Sequence, residues 1–130
     1  MKGYFDGASR GNPGVSGAGA LLIDDCGNII WETARFLGTK TNNEAEYTAL
    51  ILLLNAAKER EIIKLEVFGD SKLVICQVDK KWKINKPHLR CLAKEIWEIT
   101  KDMDVTYNWI PREENELADA LSNEGIDGAK

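Results

Sequence analysis

Near residue 41 the apolar pattern of the chain changes its period, from short strand-like runs to the stripe of an amphipathic helix. From Tyr47 onward the apolar positions fall at Tyr47, Leu50, Ile51, Leu54 and Ala57, the i, i+3, i+4, i+7 spacing that gathers side chains on one helix face. Thr41 followed by Glu44 has the S/T-x-x-E form of a capping box, in which side chains satisfy the free N–H groups of the first turn. This helix is therefore expected to start near Asn42.

What precedes the change reads as three strands in an antiparallel meander. Residues 2–6 form a short strand that ends at Asp6 and enters a Gly/Ser/Asn/Pro-rich loop over 7–19. The runs "AGALLIDD" and "IIWETARFLG" then flank "DDCGN", a hairpin signal. After the helix, "KLEVFGD" (64–70) reads as a buried strand, and Ser71 to Val78 as a short helix capped by Asp70 or Ser71. A basic connector, "DKKWKINKP" (79–87), leads to a helix that opens at Pro87, with Leu89, Leu92, Ala93, Ile96, Trp97 and Ile99 on one wide apolar face. "DVTYNWI" has strand composition and is stopped by Pro111, and "NELADALSNEG" is a short helix ending near Gly125, placed as the residue just past the end. The order βββ-α-β-α-α-β-α, with no repeat, gives an α/β class with a five-stranded mixed sheet in a single domain over 1–130.

Length and composition agree: 130 residues, 44% of them hydrophobic, suffice for one core and exclude a disordered chain. The N-terminus lacks the apolar run of a signal peptide, and the longest apolar stretch, Leu50 to Leu54, is too short to span a bilayer, so a cytoplasmic protein without membrane contact is expected. Cys26, Cys76 and Cys91 form no CxxC pair, which speaks against a disulfide framework or a zinc site, and they read as buried reduced thiols. The net charge of −4 disfavours adhesion to nucleic acid through phosphates alone, unless lysines gather locally.

The acids at the ends of elements carry the chemical question. Asp6 and Asp70 each close an expected strand, where open α/β sheets place ligand crevices. If those strands are neighbours, the two carboxylates share one sheet edge; the first helix can add Glu46 and the last helix Asp119. Each acid also has an ordinary reading. Asp70 caps a helix, Asp6 starts a turn before Gly7, and Asp119 is solvated between Ala118 and Ala120. Glu46 lies about 100° from Tyr47, at the border of the apolar stripe, where glutamates usually face water. Converging carboxylates, in contrast, repel and need a cation or a raised pKa. An oxygen-only donor set suits Mg²⁺ or Mn²⁺, and two such ions about 4 Å apart serve phosphodiester hydrolysis.

Taken together, "YFDGASRGNPG", "TNNEAEYTAL", "VFGDSKLV" and "NELADAL" resemble the type 1 ribonuclease H family, in that family's order and approximate spacing, from Tyr4 to about Glu124. The resemblance implies the ribonuclease H-like fold, three antiparallel strands followed by parallel ones and flanked by helices. It also implies a monomer that cleaves the RNA strand of RNA/DNA hybrids to 3′-hydroxyl and 5′-phosphate ends. Asp6, Glu46, Asp70 and Asp119 match the family's catalytic carboxylates, which hold two Mg²⁺ or Mn²⁺ ions. Gly11, Asn12, Asn42, Asn43 and Ser71 match positions that contact the hybrid, and Thr41 a position near a DNA-strand phosphate. Such short polar groups suit RNA, whose 2′-hydroxyls line a shallow minor groove. Trp82, set among Lys80, Lys81, Lys83 and Lys86, matches a tryptophan beside the DNA strand, and this local charge answers the net −4.

The chain also departs from the family. Many members carry a histidine between the last strand and the last helix, where this chain has "IPREEN"; Arg112 is the substitute there, able to hold phosphate but not to act as a base. The single histidine, His88, reads as a surface residue elsewhere, and Lys72 stands where a glutamine often reads the groove. Some compact members also act on double-stranded RNA, which keeps that substrate open. The alternative to an enzyme is a catalytically inactive hybrid-binding module. A phosphate loop is not supported, because "GASRGNPG" lacks the GKS/T ending.

Overall fold

The computed structural model describes residues 1–128. In chain order these form strands β1 (Lys2–Gly11), β2 (Gly14–Ile23) and β3 (Ile29–Lys40), helix α1 (Asn42–Glu59), strand β4 (Lys64–Gly69), helices α2 (Lys72–Val78) and α3 (Pro87–Thr100), strand β5 (Asp104–Trp109), a 3₁₀ turn at Arg112–Glu114 and helix α4 (Glu116–Asp127). The strands lie in the order β3-β2-β1-β4-β5. β1 to β3 pair antiparallel, whereas β4 pairs parallel with both β1 and β5. This is the mixed five-stranded sheet and the element order expected from sequence, with the three antiparallel strands followed by parallel ones that the resemblance implies.

Residues 7–19, expected as a loop, are the larger part of a long hairpin. β1 and β2 stay paired from Lys2↔Ile23 to Gly11↔Gly14, leaving only Asn12 and Pro13 as the turn. The glycines that gave the segment its loop-like composition are points of close approach. A Cβ on Gly7 would stand 2.2 Å from the carbonyl carbon of Ala45 in α1, and one on Gly19 would stand 2.4 Å from the Ala118 carbonyl oxygen in α4. Since side chains alternate along a strand, Gly7 belongs to the face covered by α1, and Asp6, paired with Gly19, to the face covered by α4.

The capping box forms as the sequence implies. Thr41 Oγ1 accepts from Glu44 N–H at 3.2 Å, and Glu44 Oε1 accepts from Thr41 N–H at 3.0 Å. Beyond it α1 is buried more widely than one stripe: besides Tyr47, Leu50, Leu54 and Ala57, also Ala45, Ala49 and Leu53 are fully covered. The small residues let the helix lie against β1 and β2 while its far side meets α3. Leu89, Ala93, Ile96 and Ile99 of α3 close the same core, with Leu92 and Trp97 packed at its margin.

Two further expectations are corrected. α4 runs past Gly125, which is interior to the helix because α4 rides on β3 there: a Cβ at this position would stand 2.6 Å from the Arg35 carbonyl oxygen. The cysteines are free but not buried; Cys26 in the β2–β3 turn and Cys91 on the outer side of α3 are exposed, and Cys76 is half-buried. Among the described residues no helix is long and apolar enough to cross a membrane.

Candidate active site

Parallel pairing of β1 with β4 stops at Phe5↔Gly69, so the next residues, Asp6 and Asp70, stand side by side where the two strands part. β1 itself continues to Gly11, so Asp6 lies inside a strand rather than at its end. Asp70 does not cap α2. That role falls to Ser71, whose Oγ accepts from Val74 N–H at 3.3 Å.

Glu46 enters from the second turn of α1. It is 6% exposed, which decides against the solvated border reading. Its Oε1 accepts a hydrogen bond from Gly7 N–H, a contact that the missing Cβ of Gly7 permits. Its Oε2 is buried and receives no hydrogen bond from a donor group. One oxygen each of Asp6, Glu46 and Asp70 lie within 4.8 Å of one another. Asp119, in the first turn of α4, adds a fourth carboxylate against Asp6 and meets Arg112 Nη2 at 3.5 Å.

The electrostatics follow from this crowding. Burial, then the charges of Asp70 and Asp119, pushes the Asp6 carboxyl up to about 7 against the bonding from Glu46. Burial raises Glu46 well above the usual carboxylate range as well, reinforced by Asp6. Burial and crowding thus favour the protonated form of both members of the Asp6–Glu46 pair. All donors in the cluster are carboxylate oxygens, and the buried Glu46 Oε2 lacks a partner, as a ligand oxygen for a hard cation would. The residues fit a divalent ion.

The acids sit in a crevice of about 400 Å³ that Asn42, Asn43, Ser71 and Arg112 also line. Gly11, Asn12, Thr41 and Trp82 lie outside this lining. Gly11 forms the hairpin end at φ +122°, and Asn12 Oδ1 accepts from Asn42 N–H at 3.1 Å, tying the turn to the start of α1. Trp82 is 46% exposed and borders a second groove, about 540 Å³, with Lys80, Lys81, Lys83, Arg90, Lys94 and Trp97. His88 is exposed, as expected.

Several neighbours of the acids escaped the reading of the sequence. Asn115 Nδ2 donates to Asp70 Oδ2 at 3.2 Å, Ser122 Oγ stands 3.4 Å from Asp6 Oδ2, and Asn123 Nδ2 donates to the Asp119 carbonyl at 3.0 Å. The α4 pair follows from spacing, three and four residues after Asp119 on the same helix face; Asn115 looks in sequence like an ordinary helix cap. Arg10 also lines the crevice, paired with Asp127 at 2.7 Å.

Comparison with known proteins places these features in a family. Residues 4–125 match the family model described as reverse transcriptase-like. A ribonuclease HI of Halobacterium salinarum is 44% identical over 129 residues, covering 97% of this chain; the chain spans 64% of that relative's length. The crystal structure of RNase H1 from Halobacterium salinarum superposes with a TM-score of 0.94 at 42% identity, covering 98% of this chain and 97% of that one. LC11-RNase H1, whose structure is a complex with RNA/DNA hybrid, gives a TM-score of 0.93 at 36% identity and covers 98% of this chain and 97% of its own.

Proposed function

The chain belongs to the type 1 ribonuclease H family, and on that premise we propose that it is a metal-dependent endonuclease that hydrolyses the RNA strand of RNA/DNA hybrids, leaving 3′-hydroxyl and 5′-phosphate ends. The observation that carries the reading is Glu46: a buried glutamate with an unpartnered oxygen, held by Gly7 against Asp6 and Asp70. A structural carboxylate at that depth would be paired with donors.

In this reading Asp6, Glu46, Asp70 and Asp119 hold two Mg²⁺ or Mn²⁺ ions, which supply activation of water and stabilisation of the leaving oxygen. The chain's own groups do the rest. Arg112, 77% exposed beside Asp119, reaches a phosphate with its planar guanidinium, a group that binds phosphate and does not serve as a base. Asn42, Asn43 and Ser71, on the crevice wall, offer hydrogen bonds to 2′-hydroxyls in the minor groove. Gly11 and Asn12 extend that wall along the hairpin end, and Thr41 with the N-terminus of α1 faces a DNA-strand phosphate. The groove at Trp82 combines an indole face with lysines, a surface for tracking the DNA strand. We read the chain as one domain that acts as a monomer, and the exposed free thiols Cys26 and Cys91 suit a reducing, cytoplasmic setting.

The test is an end-labelled panel of RNA/DNA hybrid, double-stranded RNA, single-stranded RNA and DNA duplex, each incubated with Mg²⁺, with Mn²⁺ and with chelator. Internal cuts in the RNA of the hybrid, dependent on metal and extendable by a polymerase from their 3′ ends, are expected. Cutting of double-stranded RNA would widen the substrate class. Salt-sensitive binding of the hybrid with no cleavage in either metal would replace the enzyme with a binding module.

A further inference from the structure

Asn115 stands between the 3₁₀ turn and α4, where an asparagine ordinarily caps the helix by accepting an N–H, yet its side chain makes no cap bond. It is 1% exposed. Its Nδ2 donates instead to the Phe5 carbonyl at 2.9 Å and to Asp70 Oδ2 at 3.2 Å, and its main-chain carbonyl accepts from Asp119 N–H at 3.1 Å. One residue is thus bonded to the neighbour of Asp6, to the carboxylate of Asp70 and to the backbone of Asp119. Among the described residues no other donor bonds the Asp70 carboxylate, one oxygen of which lies within 4.8 Å of oxygens of Asp6 and Glu46.

The chemistry of the position is restrictive. Both groups that face Nδ2 are acceptors, so the site needs a neutral group with two N–H donors at short reach. Aspartate would set an acceptor against acceptors, and alanine would strip Phe5 and Asp70 of their donor. Asn115 Oδ1, meanwhile, is buried with no hydrogen-bond partner, which costs stability and marks a side chain oriented by what its nitrogen must hold.

We propose that Asn115 is a positioning residue for the carboxylate cluster, fixing the rotation of the Asp70 carboxylate relative to Asp6 and Glu46 and leaving one Asp70 oxygen for a cation. The proposal rests on the reading of the cluster as a cation site. It separates Asn115 from a merely structural cap, because its effect must pass through Asp70.

Calorimetric titration of the full chain with Mn²⁺ tests it, alongside thermal melting to establish that each variant is folded. Asn115→Ala should weaken Mn²⁺ binding by about 10- to 100-fold, the usual effect of removing a group that orients a metal ligand. Hybrid cleavage should lose kcat while KM for the hybrid changes less than about twofold. In an Asp70→Asn background the same substitution should cause little further loss of Mn²⁺ affinity, as coupled residues are non-additive. Asn115→Asp, which keeps the shape but reverses the donor, should weaken binding as well and serves where the alanine variant does not fold. A folded variant that binds Mn²⁺ like the wild type, or an equal loss in the Asp70→Asn background, overturns the proposal. Wild type that neither binds Mn²⁺ nor cleaves hybrid would instead overturn the reading of the site itself.

Discussion

At Glu46 a carboxyl is buried between Ala45 and Tyr47, one turn before the core residues Ala49 and Leu50. Burial raises its carboxyl well above the usual carboxylate range, and the neighbouring Asp6 carboxyl is pushed up to about 7. A carboxyl raised in the folded state binds a proton that the unfolded chain has already lost. Its contribution to stability is thus present below about pH 4 and lost as pH rises to about 7. In chelator, wild type should therefore lose stability between those limits relative to Asp6→Asn, on the order of 4 kcal/mol for a shift of about three units. Melting of both proteins at pH 4.5 and 7.5 measures this; parallel changes would contradict it, and saturating Mn²⁺ should restore wild type at the higher pH. The sequence named the four acids, because acids at element boundaries stand out beside the motif resemblance. It did not name Asn115, because a hydrogen bond spanning 45 residues leaves no local spacing, nor Ser122, whose place one helical turn after Asp119 is a signal only once Asp119 is known to face the crevice.

Among the elements, α1 and the β1–β2 hairpin decide where Glu46 arrives. Removing the capping box by Thr41→Ala should cost about 1 kcal/mol, a fall of about 3–5 °C in Tm by thermal melting. Gly7→Ala is expected to do more. Its Cβ would collide with the backbone of Ala45 and Glu46, so α1 must lift from β1, costing about 2–3 kcal/mol and withdrawing Glu46 from the cluster. A Gly7→Ala protein as stable and as tight for Mn²⁺ as wild type would show that this contact does not set the helix. The start of α1, the Asp24–Asn28 turn and α3 were legible because caps, turn residues and apolar period are local signals. The hairpin over 7–19 and the end of α4 were not. There glycine serves helices packed across the sheet, and from sequence a glycine that admits a backbone resembles one that makes a turn.

At the scale of the whole molecule, the net charge of −4 is spread unevenly: acids crowd the crevice, and lysines line the groove at Trp82. Hybrid binding should then depend on salt through that groove. Replacing Lys83 and Lys94 by alanine should make the slope of log affinity against log salt shallower by about 2, one counterion per lost phosphate contact, with kcat nearly unchanged. An unchanged slope would place the DNA strand elsewhere. We propose that RNA within a hybrid is hydrolysed in the crevice, at its four carboxylates. Single-turnover cleavage of an RNA/DNA hybrid in Mg²⁺ or Mn²⁺, comparing wild type with Asp70→Asn at equal binding saturation, tests it most directly. Metal-dependent cutting by wild type and a rate at least about a thousandfold lower in a folded Asp70→Asn protein are expected, equivalent to about 4 kcal/mol of barrier. Equal cleavage by the two proteins, or none by wild type in either metal, would rule out this crevice as a ribonuclease site.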